Sequence, residues 1–596
     1  MYAERLEALW QSIAEAGAAA FLLPRSDEYL NEDLAPADER LRWISGFSGS
    51  QGLLALVADG GALLVDGRYS LQAQRECAQW LEVLELDDDE LFAWLEHRLP
   101  AGACLLADAR LHSVAQWQAW ERLASERGWN LRACSGNPVD SLWRERPAAA
   151  ASQVVAQPLE WAGESASCKL QRLSAQLRDN ACDALWLPAP DMLAWLLNVR
   201  AQDIAIAPLP FSCGLLYADG GLDWFIDAQR LDLSDDWLPE AVRLMPPGAS
   251  GRLDQLLRQR GAKRVWVDEA GCNAASLELL RASGCALHLA AHPVLLLRAC
   301  KNATELAGSR EAHRRDGLAL CRFLYAFDNR PEDFLGADEL AVSAALERCR
   351  GLDADYRGVS FDTIAASGAN AAQPHYLPTL GQAAALRQGD LLLVDSGGQY
   401  PQGTTDVTRV LPLGLPTPRQ RELYTRVLRA HIALADCRFP RGTSGRQLDV
   451  VARHVMWQAG LDYAHGTGHG VGSYLQVHEG PQRIAPHASD VALWPGMITS
   501  IEPGVYLEGE LGIRQENLYE VVECPIHPGF LSFRALTLVP FEPALIELEQ
   551  LSASERAWLE AYQRNVCRQL AADLEPEVAA WLRAKAAGAE QSAARA

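Results

Sequence analysis

Paired cysteines, excess basic charge and abundant histidine are all missing from this chain of 596 residues. None of its 14 cysteines forms a C-x-x-C pair, which argues against a zinc ribbon and favours free thiols in a reducing cytoplasm. A net charge of -23 argues against nucleic acid as a partner, because phosphate binding needs a basic surface. Only 13 histidines are present, yet three of them (His465, His469 and His478) share the stretch AHGTGHGVGSYLQVHEGP.

The sequence also lacks the apolar segments that a secreted or membrane protein needs. It opens on MYAERLEALWQSIAEAG, which has acidic residues and helical spacing instead of the basic start and unbroken apolar run of a signal peptide. No apolar run approaches the roughly 18 residues of a membrane helix. We therefore expect a cytoplasmic protein with no membrane partner.

Two early segments repeat one pattern at a separation of about 160 residues. The stretches GAAAFLLPRSDEYL and ADGGALLVDGRY are followed, in the same order, by CDALWLPAPDML and ADGGLDWFIDAQRL. In each copy a helical pattern precedes an apolar strand, and two further strands flank a D-G-G turn. The repetition predicts two duplicated α/β domains.

The rest of the chain divides into a third domain and a helical end. Asn302 and Glu305 have the spacing of a capping box, which predicts that a helix opens the third domain. The segment from EQLSASERAWLEAY onwards has a helical pattern. We expect four parts, with the boundaries 1–153, 154–296, 297–545 and 546–596.

The third domain contains two predicted hairpins that carry acidic residues. The first, GDLLLVDSGGQYPQGTTDVTRVLPL, places Asp395 and Asp406 opposite each other if the turn is centred at Tyr400–Pro401. The second, GMITSIEPGVYLEGELGIRQENLYEVVE, places Glu502 opposite Glu516 around a turn at Gly509.

Facing carboxylates repel each other unless they are protonated or bound to cations. Four such acids and one histidine suit two hard or borderline divalent ions. Arg514 lies two residues before Glu516 and is therefore expected on the same strand face. The alternative for each acid is a turn cap or an exposed position on a polar sheet face.

Four motifs in this order resemble the pita-bread metallopeptidases: VDSGGQYPQGTTDVTR, HGTGHGVGSYLQVHEGP, SIEPGVY and GIRQENLYEV. The similarity is greatest to the long, three-domain aminopeptidase P family and extends to SGFSGSQGLLAL, KNATELAGSREAHRRDG and the C-terminal extension. The resemblance implies an α/β (α+β) fold with two creatinase-like N-terminal domains ahead of a pita-bread catalytic domain. It also implies a homodimer.

The resemblance implies a role for each motif residue in this sequence. The implied metal ligands are Asp395, Asp406, His469, Glu502 and Glu516, with Asp406 and Glu516 bridging two ions. The implied substrate-contacting residues are His375, His465 and His478, with His375 stabilising the carbonyl oxygen. Arg514 would support Glu516, and Glu502 would also shuttle a proton. His431 and His454 lie in helical patterns and are expected to be structural.

The implied reaction is hydrolysis of the bond between a first residue and a following proline, by a water that two ions activate. The resemblance points to manganese, whereas carboxylate-rich ligation also fits cobalt, iron or zinc. A prolidase, which cleaves Xaa-Pro dipeptides, would carry the same five ligands. A methionine aminopeptidase would be far shorter, and creatinase lacks the metal set. A non-enzymatic binding protein of this fold would usually have lost ligands.

Overall fold

A computed structural model describes residues 1–149 and 151–593, and it divides into two compact units. The first unit comprises residues 1–159 and 164–295, and the second comprises residues 160–163 and 296–596. Among the described residues, no helix combines the length and the apolar character required to cross a bilayer.

The first half of the first unit is a six-stranded sheet with helices on both faces. Its strands are β1 (Ala20–Pro24), β2 (Leu53–Val57), β3 (Gly60–Val65), β4 (Glu82–Glu85), β5 (Cys104–Ala107) and β6 (Asn130–Ala133). Its helices are α1 (Tyr2–Glu15), α2 (Arg40–Ser45), α3 (Ser70–Cys77), α4 (Asp88–Glu96), α5 (Val114–Glu126) and α6 (Pro138–Leu142). Two apolar clusters pack on its opposite faces, which explains why β1 and β2 are almost continuously apolar.

The second half of that unit is built in the same way. Its strands are β7 (Val154–Ala156), β8 (Ala184–Leu187), β9 (Val199–Arg200), β10 (Cys213–Tyr217), β11 (Leu222–Phe225), β12 (Leu231–Asp232), β13 (Val242–Met245), β14 (Arg264–Val267) and β15 (Ala286–Leu289). Its helices are α7 (Leu159–Ala162), α8 (Ala166–Asp179), α9 (Pro190–Leu197), α10 (Leu253–Arg260), α11 (Ala274–Ala282) and α12 (Pro293–Ala299); the ends of α7 and α12 belong to the second unit.

The strand orders confirm the predicted duplication. The first large sheet has the order β4-β3-β2-β1-β5-β6, and the second has β13-β11-β10-β8-β14-β15. Equivalent neighbours also run in equivalent directions: the β1–β2 and β8–β10 pairs are antiparallel, while β1–β5 and β8–β14 are parallel. Two copies of one topology therefore make up the first unit.

The second unit combines long helices with several small antiparallel sheets. Its helices are α13 (Ala303–Asn329), α14 (Glu339–Arg350), α15 (Pro418–Ala435), α16 (Gly445–Trp457), α17 (Ala553–Leu570) and α18 (Pro576–Ala593). Its strands are β16 (Ile364–Ser367), β17 (Leu391–Ser396), β18 (Gln399–Tyr400), β19 (Gly403–Thr404), β20 (Val407–Pro412), β21 (Arg438–Pro440), β22 (Gly468–Gly470), β23 (Glu479–Ile484), β24 (Ile498–Ile501), β25 (Gly504–Leu507), β26 (Leu511–Arg514), β27 (Asn517–Glu523) and β28 (Phe530–Ala535).

The predicted helix start and the helical C-terminal segment are both present in this unit. The Asn302 side chain accepts hydrogen bonds from the backbone at the start of α13, and the Glu305 carboxylate accepts one from the Asn302 backbone N–H. The predicted capping box is therefore confirmed. A six-stranded sheet has the order β21-β28-β27-β24-β22-β23, and a three-stranded sheet has the order β16-β17-β20. Asp395 lies in β17 and His469 in β22, whereas the other three acids directly follow or precede strands.

Candidate metal centre

The first acidic hairpin carries Asp395 and Asp406 at different positions relative to its ladder. Asp395 lies within β17, where its backbone partner is Thr408 of β20. The ladder breaks beyond β17 and β20 and resumes between β18 and β19. Asp406 lies in that break, two residues before the partner of Asp395.

The predicted direct pairing of Asp395 with Asp406 is therefore wrong by two residues. The turn consists of Pro401 and Gln402 instead of Tyr400 and Pro401. Proline fits the first central position of a turn and is disfavoured at the second, where it would restrict the residue before it. The aspartates are diagonal neighbours, and residues in that relation are roughly 7–8 Å apart, with their Cβ atoms somewhat closer.

The second acidic hairpin has the predicted register. Glu502 lies between β24 and β25, and Glu516 lies between β26 and β27. Gly504 pairs with Arg514, and the β24–β27 ladder on the other side of the glutamates keeps the same alignment. The turn falls at Gly509, whose φ of 74° is easily adopted by glycine. Glu502 and Glu516 are thus placed opposite each other.

His469 is the middle residue of β22, and its hydrogen bonds fix the tautomer. Because a carbonyl oxygen only accepts, Nδ1 carries the proton that it donates to the Gly470 carbonyl at 2.9 Å. Ser500 Oγ accepts a hydrogen bond from the His469 backbone at 2.9 Å. With Nδ1 as the donor, Nε2 is the nitrogen that can offer a lone pair, and it lies 3.4 Å from Asp406 Oδ2 and 3.5 Å from Glu502 Oε1. It therefore faces two carboxylates.

Three of the predicted ligands form a compact, buried cluster. Ligand atoms of Asp406, His469 and Glu516 all lie within 4.8 Å of one another. Burial raises the pKa of Glu516 well above its usual range, and the charges of Asp406 and Glu502 raise it further. Such crowding of acids is unfavourable without protons or cations, so the cluster is arranged to bind positive charge.

Arg514 connects the two hairpins. Its Nη2 donates to Asp395 Oδ2 at 2.5 Å, Nη1 to Tyr506 Oη at 2.6 Å, and Nε to Thr408 Oγ1 at 3.1 Å. Thr408 Oγ1 in turn donates to Glu516 Oε2 at 2.7 Å. The expected support of Glu516 by Arg514 is thus indirect, through Thr408, and the direct ion pair is with Asp395.

The residues present fit a pair of divalent ions. Burial raises the pKa of Asp395 to about 6, against the opposing effect of Arg514. Asp395 Oδ1 is buried, and no hydrogen-bond donor within the described part of the chain reaches it. An acceptor left in this state is costly unless a cation binds it. Together with the lone pair of His469, this oxygen has the chemistry of a metal ligand.

His465 is buried beside this cluster and has a different set of contacts. Its Nδ1 donates to the Gly466 carbonyl at 2.7 Å, and its Nε2 lies 2.8 Å from Tyr506 Oη. Because Arg514 already donates to Tyr506, the tyrosine proton is available for His465 Nε2. His465 Nδ1 lies 3.8 Å from Glu502 Oε2. These contacts place His465 next to the acids with both of its nitrogens engaged.

Three further histidines, His478, His375 and His431, differ in their surroundings. The ring of His478 stands perpendicular to that of His469, with centroids 4.4 Å apart. His375 is half-buried in the turn after the short 3-10 helix Gly368–Ala372, which packs against β26. His431 hydrogen-bonds to the Gln515 carbonyl, and burial lowers its pKa to about 3.

Both histidines that we expected to be structural lie outside the cluster. His431 also bonds to the Tyr519 hydroxyl at 2.7 Å, deep in the core. His454 is exposed on α16.

Sequence reasoning missed three supporting residues. Thr408 joins Arg514 to Glu516, Tyr506 joins Arg514 to His465, and Ser500 donates to Glu502 Oε1 at 3.0 Å. Each lies an even number of residues from a ligand on the same strand run, which puts the two side chains on one face. This even spacing is the feature of the sequence that could have identified these supporting residues.

Arg409 ties the first hairpin to the second hairpin and to the C-terminal segment. It is 2% exposed, and its guanidinium stacks over the Phe541 ring at 4.2 Å. Its acceptors are the carbonyls of Thr408, Glu516, Val539 and Pro540, the side-chain oxygen of Asn517 and the hydroxyl of Tyr562. All of these partners are uncharged groups, so Arg409 acts as a multivalent hydrogen-bond donor between strands.

Family comparisons cover nearly the whole chain. Residues 307–523 match metallopeptidase family M24, and residues 529–588 match the C-terminal region of that peptidase family. Residues 5–140 and 145–305 each match the creatinase/prolidase N-terminal domain. Both copies of the duplicated topology therefore match the same kind of domain.

Individual relatives are similar over the same extent. Aminopeptidase P1 of Arabidopsis thaliana is 34% identical, with 95% of each chain covered. Xaa-Pro aminopeptidase 2 of Rattus norvegicus is 33% identical, with 97% of this chain and 87% of the relative covered. The crystal structure of an X-prolyl aminopeptidase from Caenorhabditis elegans, described as a cytosolic enzyme with a di-nuclear active site, superposes with a TM-score of 0.92 at 30% identity and covers 98% of this chain and 99% of the other. The chain therefore belongs to metallopeptidase family M24 and, within it, to the long aminopeptidases P with two creatinase-like N-terminal domains.

Proposed function

We propose that this protein is an Xaa-Pro aminopeptidase that removes the first residue of peptides with proline in second position. The observation that carries the proposal is the convergence of Asp406, His469 and Glu516 within 4.8 Å, with the His469 lone pair facing the acids. This cluster lies in a chain that resembles aminopeptidases P over its full length.

The proposed metal ligands are the five residues of the two hairpins and β22: Asp395, Asp406, His469, Glu502 and Glu516. When bound, two divalent ions supply a water of lowered pKa and polarise the scissile carbonyl. Carboxylate-rich ligation suits manganese, which the family resemblance also favours, and it equally suits cobalt, iron or zinc. Metal analysis of the protein purified without added metal would identify the natural ion.

Glu502 is the proposed proton carrier. Its Oε1 accepts a hydrogen bond from Ser500, whereas its Oε2 lies 3.8 Å from His465 Nδ1. A carboxylate held at one oxygen keeps the other available to take the proton of the attacking water and to return it to the leaving nitrogen. The proline nitrogen has no hydrogen of its own, so this returned proton becomes the N–H of the product.

The proposed substrate-binding residues are His375, His465 and His478. The ring of His478 lies directly against the ligand His469, so it borders the reacting carbonyl. His465 is held by Tyr506, which keeps its ring in one orientation beside Glu502. We assign to His375 the stabilisation of the carbonyl oxygen as negative charge develops on it.

An Xaa-Pro dipeptidase is the second candidate because it would use the same ligands. The extent of structural similarity supports the aminopeptidase. The C. elegans enzyme covers 98% of this chain, whereas an Xaa-Pro dipeptidase from Bacillus anthracis covers 63%, with a TM-score of 0.51.

The domain boundaries that we propose remain 1–153, 154–296, 297–545 and 546–596.

The release of free arginine from Arg-Pro-Pro and from Arg-Pro separates these candidates. The manganese-loaded protein should cleave the tripeptide and leave most of the dipeptide intact. Arg-Ala-Ala serves as the substrate control, because it offers the same first residue without proline. The opposite preference between tripeptide and dipeptide would identify a dipeptidase.

Two variants test whether the cluster carries this activity. Asp406→Ala should abolish cleavage and reduce the bound metal, since it removes a ligand from the centre. Asp436→Asn changes a half-exposed aspartate elsewhere in the unit and should leave both unchanged. Inactivity of the wild-type protein towards all three peptides, with metal content unaffected by Asp406→Ala, would sink the proposal in favour of a non-enzymatic role.

We infer further that the protein is a cytoplasmic homodimer. The structural relative from C. elegans is described as cytosolic. Trp457 and Trp494 are 46% and 47% exposed, and aromatic side chains are enriched where protein chains contact each other. Light scattering of the purified protein would give the mass of a dimer, and a monomer mass would contradict this inference.

A further inference from the structure

A buried ion pair in the second unit lies outside the proposed chemistry. Asp316 of α13 is 3% exposed, and Arg350, the last residue of α14, is 0% exposed. Arg350 Nε and Nη2 donate to the two carboxylate oxygens of Asp316 at 2.7 and 3.2 Å. Since desolvation can cancel the attraction within such a pair, stability alone is a weak reason for its presence.

The first acidic hairpin uses the remaining acceptor positions of Asp316. Tyr400 Oη donates to Asp316 Oδ1 at 3.0 Å, and Thr405 Oγ1 donates to Oδ2 at 2.9 Å. Arg350 Nη2 also donates to Ser396 Oγ at 3.1 Å. Each carboxylate oxygen therefore accepts two hydrogen bonds, one from the arginine and one from the hairpin.

These contacts fall immediately beside both aspartate ligands. Ser396 directly follows Asp395, and Thr405 directly precedes Asp406. The Thr405 hydroxyl also accepts a hydrogen bond from the backbone of Gly398, which lies across the hairpin. The Asp316–Arg350 pair thus holds the residue that follows Asp395 and the residue that precedes Asp406.

Helix α13 holds Asp316 firmly against the hairpin. A Cβ atom added to Gly308 would lie 2.5 Å from the Gln402 carbonyl oxygen, so only glycine permits this approach. On the hairpin side, a Cβ atom added to Gly403 would lie 3.1 Å from the Cα of Ser309. The helix and the turn are therefore in direct backbone contact, about two helical turns from Asp316.

Asp406 has no backbone partner of its own in the ladder, although its neighbours Thr405 and Val407 are paired with Gly398 and Ser396. Asp395 lies on the β17–β20 ladder, whereas Asp406 lies in the break between β19 and β20. Backbone pairing therefore constrains one ligand directly and the other only through its neighbours. The contacts of Asp316 and Arg350 are concentrated at this break.

We propose that Asp316 and Arg350 are positioning residues that set the spacing of Asp395 and Asp406 for binding two divalent ions. This inference rests on the proposed function, because it concerns the same metal centre. It predicts that the hydrogen bonds of Tyr400 and Thr405 to Asp316, which involve no metal ligand, control metal affinity. Loss of such outer contacts typically weakens metal binding about 10–100-fold.

Tyr400→Phe and Thr405→Val test this inference, because each removes one hydroxyl and leaves the ion pair in place. Manganese titration, followed by the paramagnetic resonance signal of the free ion, should show two ions per wild-type chain. In both variants at least one ion should bind about ten-fold more weakly or worse. Activity on Arg-Pro-Pro should recover at saturating manganese with an unchanged KM.

The matched controls are Tyr424→Phe and Thr425→Val, whose hydroxyls bond to the backbone of residues 542–547 instead of to Asp316. They should lower the thermal midpoint without changing manganese affinity. Wild-type affinity in both test variants, or an equal loss in the controls, would overturn the inference. A wild-type chain that binds none of manganese, cobalt, iron or zinc would overturn the proposed function and this inference with it.

Discussion

The two acidic hairpins differ in how their acidic side chains are positioned. In the second hairpin the proposed ligands Glu502 and Glu516 lie opposite each other in the register that the ladders on both sides share, although their own backbone N–H groups donate to Thr467 and Thr408. In the first hairpin the ligands are offset by two residues, and Asp406 lies in a break of the ladder. The shared register places one pair of acids opposite each other, whereas a buried ion pair from two helices contacts the residues beside the other pair.

This difference shows what a ladder can specify. Opposed residues in a regular hairpin are placed by the alternation of side chains and by the turn. Residues in a break need side-chain contacts, and these come from distant parts of the sequence. Arg514 and Thr408 then join the two hairpins, so that neither pair of carboxylates is placed independently of the other.

The largest expected effect comes from removing one ligand charge in each hairpin. Asp406→Asn and Glu516→Gln should each lower kcat/KM on Arg-Pro-Pro by about a thousand-fold or more, because metal catalysis is worth several kcal/mol. The rate of arginine release measures this. Substantial activity in either variant would show that its hairpin is dispensable and would break the comparison.

A large effect on stability is expected from Arg409→Met. The substitution leaves several buried acceptors of both hairpins and of the C-terminal segment without a donor, at a cost of about 3 kcal/mol. The free energy of unfolding in urea would measure it. Arg419→Met removes an exposed pair with Glu510 and should change that free energy by less than about 1 kcal/mol. Equal effects of the two substitutions would show that Arg409 does not join the strands.

A moderate effect is expected from Thr408→Val, which cuts the link between Arg514 and Glu516. Manganese affinity should fall about ten-fold, since the hydroxyl orients a ligand oxygen. Equilibrium dialysis against manganese measures the change. An unchanged affinity would mean that the regular ladder alone places Glu516.

The smallest effect is expected from Gly509→Ala in the turn of the second hairpin. No atom lies within 4 Å of the added Cβ, so the cost is the backbone strain at a φ of 74°, about 1 kcal/mol. Because the ladder sets the register, manganese affinity should remain that of the wild type. A loss of affinity would show that the turn, and not the ladder, positions the glutamates.

The duplicated domains were predicted correctly from the sequence, and the proposed ligands were selected from it, because both leave local patterns. Alternating strands, D-G-G turns and acids after apolar runs are all visible within a few residues. The register of the second hairpin followed from its turn at Gly509. The first register was missed because Pro401 was placed at the wrong turn position, although proline chemistry favours the correct one.

The supporting contacts could not be predicted in the same way. Asp316 and Tyr400 are 84 residues apart, and Arg409 and Tyr562 are 153 residues apart. Neither pair shares a motif or a period, so only packing brings them together. The pairing of Arg514 with Asp395 is likewise a contact between different sheets, which strand parity does not reveal.

Anomalous diffraction from crystals grown with manganese would test the central claim most directly. We expect two peaks in each chain, enclosed by carboxylate oxygens of both hairpins and by His469 Nε2. A single peak, or peaks that involve the acids of only one hairpin, would contradict the account.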